Sequence, residues 1–250
     1  MKPQVYAFAN QKGGVGKTTT AINLAACLAE AGERALVVDL DPQANATSGL
    51  GMRANGTSSY DLLDGAPLAE LVKPTAFDNL FLVPSKPELA GAAVELSRRD
   101  DGDRYLAQAL EGADDFDFVL LDCPPSLGPL TVNALAAADR VIVPVQTEYY
   151  ALEGLAQLVQ SINLIKTRLN PRLEIAGVLL TMADARTRLS SEVEAEVRRH
   201  FGELVFTAVV PRSVRVAEAP SHGLPVTHYD RRSRGAEAYW KVAMELVERR

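Results

Sequence analysis

A glycine-rich segment near the amino terminus constrains this chain more than any other feature. Residues 10–20 read Asn-Gln-Lys-Gly-Gly-Val-Gly-Lys-Thr-Thr-Thr, between a short apolar run at 5–9 and an alanine-rich, proline-free stretch at 21–31. This order predicts a strand, a tight loop and a helix. Such a loop directs backbone N–H groups and the positive end of a helix at one point, and the matching ligand is a chain of phosphates. A turn that merely connects a strand to a helix does not require Gly-Lys-Thr at the helix start.

The segment follows the P-loop pattern in its second half and departs from it in its first half. In that pattern Lys17 reaches the outer phosphates of the nucleotide, and the Thr18 hydroxyl binds Mg²⁺. Gln11 stands where the first glycine belongs, and an additional lysine, Lys12, comes directly before Gly13. Spacing alone leaves Lys12 open as an ordinary solvated lysine. The residues predicted to bind the nucleotide phosphates are Gly13, Gly14, Val15, Gly16, Lys17, Thr18 and Thr19.

Two later apolar runs end in carboxylates. Residues 35–38 lead into Asp39 and Asp41, and residues 118–121 lead into Asp122. Buried parallel strands have such continuous apolar stretches, and ligands gather beyond their carboxyl ends. The run that ends at Asp122 has the Walker B pattern, so we expect its carboxylate to join Thr18 in holding Mg²⁺. Position alone leaves these acids open as ordinary solvated residues at strand ends.

Apolar runs alternate with helix-like segments along the whole chain, which predicts an α/β fold of the P-loop NTPase type. We expect a doubly wound, mostly parallel sheet flanked by helices on both faces, in a single domain spanning residues 1–250. Further strands are predicted at 79–84, 141–145, 175–182 and 205–210, and further helices at 60–63, 68–72, 87–96, 130–138, 151–169, 190–200 and 236–250.

Composition narrows the setting of the protein. Hydrophobic residues make up 47% of the chain and charged residues 23%, which is typical of a globular protein. Two cysteines, no signal-peptide pattern and no long apolar stretch predict a cytoplasmic protein. The net charge of −6 argues against nucleic acid, but residues 172–250 carry 13 Lys+Arg against 11 Asp+Glu. The carboxy-terminal part can therefore form a local basic surface.

The stretch Lys-Gly-Gly-Val-Gly-Lys-Thr-Thr at 12–19 resembles the deviant Walker A box of the ParA/MinD family of ATPases. The resemblance implies hydrolysis of ATP with Mg²⁺, weak without a partner, and an ATP-bound homodimer in which Lys12 contacts the nucleotide of the partner chain. Asp-Leu-Asp-Pro-Gln at 39–43 is similar to the family's switch I, which implies that Asp41 orients the attacking water. Lys12, Lys17 and Asp41 are thus the expected catalytic residues. The loop at 146–150 resembles a family loop near the dimer interface, and a polar loop with tyrosines on the core is the open alternative.

Three later segments, at 184–187, 211–215 and 217–221, resemble the small Soj-type ParA proteins of chromosome partition. That resemblance implies that Arg186 and Arg215 bind double-stranded DNA non-specifically in the ATP-bound dimer, which would place the protein on the nucleoid. It also implies a ParB-type centromere-binding partner that stimulates hydrolysis. By position Arg186 and Arg215 remain open as solvated loop arginines, and so do Arg231, Arg232 and Arg234. The ends of the last strands place Met182 and Pro211 as candidate adenine contacts.

Three other functions of related proteins each require a feature that can be looked for in this sequence. A MinD-like protein needs a cationic amphipathic helix for the membrane, whereas residues 236–250 have a net charge of zero and one core-facing stripe, so we expect no membrane partner. A nitrogenase iron protein-like reductase needs cluster-binding cysteines, whereas Cys27 falls inside the helix after the P-loop. A metabolic P-loop enzyme needs a second substrate site, and no residue cluster indicates one. MinD-like positioning and small-molecule chemistry remain the alternatives.

Overall fold

The computed structural model describes residues 2–99, 101–148 and 151–249. Seven strands form one sheet in the order β3-β4-β2-β5-β1-β6-β7. All neighbouring strands are parallel except β3, which is antiparallel to β4 at one edge. The strands are β1 Gln4–Phe8, β2 Ala35–Asp39, β3 Lys73–Pro74, β4 Leu80–Val83, β5 Phe118–Asp122, β6 Arg140–Gln146 and β7 Glu174–Thr181.

Helices connect the strands and cover both faces of the sheet. They are α1 Lys17–Glu30, α2 Asn45–Gly49, α3 Ser59–Leu63, α4 Leu68–Leu71, α5 Leu89–Leu96, α6 Tyr105–Ala109, α7 Pro129–Ala137, α8 Ala151–Arg168, α9 Arg188–Phe201, α10 Val214–Glu218, α11 Val226–Tyr229 and α12 Arg234–Glu248. Short 3-10 helices lie at Leu110–Gly112, Gly202–Leu204 and Ala219–His222. The predicted α/β, doubly wound, mostly parallel architecture is confirmed.

The alternation of side chains along each strand divides the core into two layers. On β1, Val5 and Ala7 belong to the layer beneath α3 to α9, while Tyr6 and Phe8 belong to the layer beneath α1 and α12. Both layers are buried, which explains why the central strands are continuously apolar rather than alternating. Cys27 lies in the second layer and is fully buried, as predicted from its place on α1.

The carboxy-terminal helix packs as predicted. Tyr239, Val242, Ala243 and Leu246 form a stripe that is buried against α1, whereas the neighbouring Val247 is 39% exposed. No helix within the described part of the chain is long and apolar enough to cross a membrane.

The prediction of a strand at 205–210 is wrong. Among the described residues, the segment makes only isolated bridges: Val205 bridges Val178, and Pro211, just beyond the segment, bridges Ala183. Phe206 N and Val210 N donate to the β7 carbonyls of Val178 and Leu180, but side chains of the flanking helices bind the backbone at 206–208 and interrupt the ladder. The Glu245 carboxylate accepts from Thr207 N at 2.9 Å and from Ala208 N at 3.2 Å. From the other side, the Arg198 guanidinium donates to the carbonyls of residues 206 and 207.

Several small elements were not predicted. They are α2, β3, α6, α10 and α11, each of five residues or fewer. A helix this short has few periodic positions to signal it, and its stability comes from packing on the rest of the molecule.

Candidate nucleotide site

The P-loop is held open by glycines with left-handed backbone and by contacts from two neighbouring strands. Gly14 has φ 74° and Gly16 has φ 89°, conformations that a side chain disfavours. The Thr181 hydroxyl of β7 donates to the Val15 carbonyl at 2.8 Å, and the Asn10 side chain donates to the Pro144 carbonyl at 2.8 Å. Because α1 begins at Lys17, its amino-terminal N–H groups face this loop. The arrangement suits a phosphate chain.

Lys17 lies inside the site and Lys12 lies outside it. Lys17 is 6% exposed and donates to the Lys12 backbone carbonyl at 3.3 Å. Burial lowers the pKa of Lys17, and the carboxylates of Asp122 and Asp41 oppose that shift. The Lys12 side chain is 51% exposed and its Nζ lies 2.5 Å from Glu148 Oε2. Lys12 therefore points away from the cavity of its own chain.

Asp122 is the clearest sign of a cation site. Its side chain is fully buried, and both carboxylate oxygens lack a hydrogen-bond partner of ordinary geometry within the described part of the chain. Burial raises the pKa of Asp122 well above its usual range and the adjacent Asp39 raises it further, while the nearby Thr18 hydroxyl and Lys17 oppose the shift. A buried carboxylate without a donor fits a cation as its partner.

Asp122 and Thr18 are the residues that would hold Mg²⁺, whose charge would neutralise the phosphate oxygens. Among the residues that the structure describes, no cluster of three or more His, Cys, Asp or Glu could hold a metal. One carboxylate and one hydroxyl are nevertheless appropriate, because Mg²⁺ at nucleotide sites retains waters and takes phosphate oxygens as its other ligands.

Asp41 lies at the mouth of the site, two residues beyond the end of β2. It is 7% exposed and lines the cavity next to the P-loop. Its backbone N–H donates to Asp39 Oδ1 at 3.1 Å, and its own Oδ1 accepts from Gln43 N at 2.9 Å. Asp39 is turned away from the cavity and its burial raises its pKa to about 6. Of the two acids in the motif, the second faces the ligand space.

A cavity of about 580 Å³ extends from the P-loop toward the carboxy-terminal segments. Its lining includes Gly13, Gly14, Gly16 and Thr19 together with the predicted adenine contacts Met182 and Pro211. Met182 has φ 51°. In residues other than glycine this conformation is strained, and such strained residues cluster at functional sites. Sequence reasoning missed the rest of the apolar wall, which is made by Ile22, Val216, Ala217, Pro220 and Tyr239. The segment 217–221 resembles the Soj-type proteins in sequence, but the resemblance assigns it no contact with the nucleotide.

The two arginines predicted to bind DNA lie on segments that leave the sheet side by side. Ala183 bridges Pro211, and Arg186 and Arg215 follow that paired position by three and four residues. Arg186 is 85% exposed and its guanidinium makes two hydrogen bonds to Asp184, at 2.9 and 2.7 Å, which lower the pKa of that carboxyl to about 2.

Carboxylates also lie beside Arg215 and Arg231 in this region. Arg215 is 55% exposed and lies 3.2 Å from Glu218 and 3.3 Å from Asp230. Arg231 pairs with Glu30 at 3.4 Å, whereas Arg232 and Arg234 are exposed. The guanidinium groups of Arg186 and Arg215 thus face solvent while paired with carboxylates of their own chain.

The loop at 146–150 is described only in part. The Thr147 hydroxyl is buried 2.8 Å from the Ser190 hydroxyl, and Glu148 holds Lys12. Tyr149 and Tyr150, the tyrosines of the predicted interface loop, lie outside the described residues.

Comparison with known proteins agrees with this site. An AAA domain family model matches residues 3–175. The chromosome-partitioning ATPase Soj of Thermus thermophilus is 56% identical over 243 residues, covering 97% of this chain and 95% of that protein. The sporulation initiation inhibitor protein Soj of Bacillus subtilis is 51% identical over 248 residues, covering 98% of both chains.

A solved structure with an ATP analog and magnesium, the cobyrinic acid a,c-diamide synthase of Mycobacterium smegmatis, superposes with a TM-score of 0.86. It is 38% identical and covers 98% of this chain and 95% of that chain. The full-length identity to partition proteins is higher and carries the assignment. The chain belongs to the Soj/ParA family of chromosome-partitioning ATPases.

Proposed function

We propose that this ATPase is a dimeric switch that binds DNA without sequence preference when it holds ATP and leaves DNA after hydrolysis. The observation that carries the proposal is the double role of two segments. Residues 182 and 211–213 line the nucleotide cavity, and the same stretches continue directly into Arg186 and Arg215. The state of the nucleotide site can therefore influence where the two guanidinium groups lie.

In the proposed dimer, two ATP-bound copies join face to face across the P-loops. Lys12 is half exposed and directed away from its own cavity. Once its ammonium group leaves Glu148, the side chain could extend to the nucleotide of the partner copy. Lys17 would hold the outer phosphates and Asp41 would orient the attacking water. A cation directed at the charge that develops during phosphoryl transfer would link dimerisation to hydrolysis.

The DNA surface of the proposed dimer would combine both arginine pairs along one face. Each guanidinium is exposed and matches the geometry of a phosphate group. Binding through phosphates alone carries no sequence information and falls with rising salt. A ParB-type partner that stimulates hydrolysis would release the dimer from DNA.

The test measures retention of the purified protein on arbitrary duplex DNA with ATP or ADP over a series of salt concentrations. We expect retention with ATP only, and loss of retention in Arg186→Ala and Arg215→Ala while ATP-dependent dimerisation persists. Each substitution removes two phosphate contacts per dimer, so the salt dependence weakens by about two counterions. Arg188→Ala is the matched control, because Arg188 is 91% exposed, begins α9 and pairs with Glu192. Unchanged retention in both test variants would refute the proposed surface.

A second candidate function comes from the diamide synthase neighbour, a protein named for small-molecule chemistry. Such an enzyme needs room for a second substrate beyond the outer phosphates. In the described part of the chain, the cavity that contains the P-loop also holds the predicted adenine contacts Met182 and Pro211, so we assign it to the nucleotide. MinD-like positioning requires a membrane-binding helix, whereas α12 buries its apolar stripe against α1. Partition-type DNA binding is therefore the function we favour.

A further inference from the structure

Four buried residues form a closed ring of hydrogen bonds behind the Asp41 segment. The Thr47 hydroxyl donates to Asp39 Oδ2 at 2.7 Å and accepts from Ser85 N at 2.9 Å. The Ser85 hydroxyl donates to the Asp41 carbonyl at 2.7 Å, and Asp41 N donates to Asp39 Oδ1 at 3.1 Å. Asp39, Thr47 and Ser85 are each at most 2% exposed. The ring is therefore shielded from water, where hydrogen bonds are strongest.

The ring fixes Asp41 from both sides of its α-carbon. Its N–H is bound to Asp39 and its C=O is bound to Ser85, so neither adjoining peptide plane can rotate without breaking a buried hydrogen bond. The side chain, by contrast, faces the cavity. The arrangement holds the backbone rigid and leaves the carboxylate at the ligand.

The four residues come from three separate elements. Asp39 ends β2, Thr47 lies in α2, and Ser85 follows the end of β4 by two residues. Thr47 N also donates to Asp39 Oδ2, at 2.8 Å, which ties the start of α2 to the strand. Ala44, just before α2, has φ 53°, a strained turn that these contacts hold in place. The ring thus joins the end of the strand, the loop that carries Asp41 and the neighbouring strand.

Thr47 and Ser85 do not line the nucleotide cavity, whereas Asp41 does. Any influence they have on the reaction is therefore indirect, and Asp41 is the member of the ring that lines the cavity. We propose that Thr47 and Ser85 are positioning residues for ATP hydrolysis, which hold Asp41 where its carboxylate can orient the attacking water. This inference rests on the role proposed for Asp41. It adds two residues for which neither motif nor spacing gave a signal.

The test is ATP hydrolysis by the full chain without DNA, with kcat and KM measured separately. Thr47→Val keeps the shape of the side chain and removes the hydroxyl, and Ser85→Ala removes the donor to the Asp41 carbonyl. We expect kcat to fall about tenfold to a hundredfold with little change in KM, because displacement of a catalytic group costs rate rather than binding. Thr47→Ser restores the hydroxyl, and we expect it to recover most of the lost kcat.

Thr75→Val is the matched control. The Thr75 hydroxyl also donates to an oxygen, the Leu80 carbonyl at 2.8 Å, and accepts from an N–H, that of Phe77 at 3.1 Å. It lies at the opposite end of β4 from Ser85, away from the nucleotide. We expect Thr75→Val to lower thermal stability and to leave kcat unchanged, which separates a loss of stability from a loss of positioning.

The possible outcomes separate failure of this inference from failure of the role proposed for Asp41. Wild-type kcat in both Thr47→Val and Ser85→Ala, with Asp41→Ala inactive, overturns the positioning role alone. An active Asp41→Ala overturns the role of Asp41 and the inference together. Loss of kcat in Thr47→Ser equal to that in Thr47→Val also overturns it, since the hydroxyl would then be irrelevant. DNA binding does not enter the assay, so failure of the proposed DNA switch leaves these results interpretable.

Discussion

At the scale of single residues, the site contrasts two lysines five positions apart in one loop. Lys17 is buried at the start of α1 and serves the nucleotide of its own chain, whereas Lys12 is half exposed and paired with Glu148. The difference follows from the loop geometry, since the left-handed glycines between them turn the chain back on itself. The two substitutions should therefore have different effects on nucleotide binding.

We expect Lys12→Gln to bind ATP in the monomer with an affinity close to that of the wild type, but to lose ATP-dependent dimerisation. The reason is that Lys12 does not line the cavity of its own chain. Lys17→Gln, the comparison variant, should lose nucleotide binding itself. Calorimetric titration measures the affinity and light scattering measures the dimer. An ATP-dependent dimer of Lys12→Gln would contradict a role for this lysine across the interface.

Asp122 destabilises the protein without nucleotide, because its fully buried carboxylate lacks a hydrogen-bond partner of ordinary geometry among the described residues. Burial raises its pKa in the folded state above the usual 3.8. Above pH 3.8 the folded chain therefore retains a proton that the unfolded chain releases, and this group lowers the free energy of unfolding as pH rises. The cost reaches its full size once pH exceeds the folded-state pKa.

We accordingly expect Asp122→Asn, without nucleotide at pH 7.5, to raise the free energy of unfolding by about 1–3 kcal/mol. The gain should shrink as pH falls through 3.8, because the wild-type carboxyl is then increasingly protonated in the unfolded chain as well as in the folded one. Mg²⁺ with ATP should stabilise the wild type and have little effect on the variant. Urea unfolding at several pH values measures each quantity. A variant less stable than the wild type at pH 7.5 would argue against an unpartnered charge at this position.

At the scale of elements, α2 and the turn at Ala219–His222 meet through two glycines. A Cβ atom on Gly223 would lie 2.5 Å from the Gly51 α-carbon, and both residues have positive φ, 68° and 71°. Backbone thus packs against backbone at the end of α2, the helix that carries Thr47. The turn leads in the other direction to α10, which carries Arg215. The contact connects the element behind Asp41 to an element of the proposed DNA surface.

We expect Gly223→Ala to destabilise the protein by about 1–3 kcal/mol, because it adds a clash to an unfavourable backbone conformation. Gly154→Ala is the control, since Gly154 lies in α8 with open space around it. Alanine there should stabilise the helix by about 0.5–1 kcal/mol. Thermal unfolding of both variants provides the measurement. Equal stability of Gly223→Ala and the wild type would show that α2 and the turn can separate freely.

The elements also show where prediction from sequence succeeds. Long segments with clear periodicity, such as α8, α9 and α12, were predicted within a few residues of their ends. The segment at 205–210 was apolar enough to be taken for a strand, but Glu245 and Arg198 bind its backbone instead. Arg198 comes from the helix just before the segment, and Glu245 comes from α12, 38 residues beyond Thr207. No local pattern reports such competition for backbone groups.

At the scale of the whole molecule, the face that carries the P-loop is the one through which the proposed dimer forms. Gly13 has room around it within the described part of one chain, since beyond its chain neighbours a Cβ atom there would come no nearer than 3.8 Å, to Pro125. A larger side chain at this position would therefore project from the P-loop face rather than into the core.

We expect Gly13→Val to fold and to bind ATP but to remain monomeric, because the added side chain would lie between two opposed P-loops. Thermal unfolding with and without ATP reports folding and binding, and light scattering reports the dimer. Gly14→Ala is a useful comparison, because Gly14 has φ 74° and its substitution should distort the loop itself. An ATP-dependent dimer of Gly13→Val would contradict association through this face.

The sequence by itself determined the chemistry of this protein and the order of its main elements. The P-loop, the acids at two strand ends and the apolar runs between them are local patterns, because each depends on backbone conformation or on which residues a buried strand tolerates. Tertiary structure decided how those patterns come together in one nucleotide site. It placed Lys17 inside the cavity and Lys12 outside it, and brought Tyr239 and Val216 to the nucleotide wall from more than 190 residues beyond the P-loop. It also closed the ring from Thr47 and Ser85 to Asp41, since hydrogen bonds between distant segments depend on how the sheet brings strand ends together and leave no periodic trace in the chain.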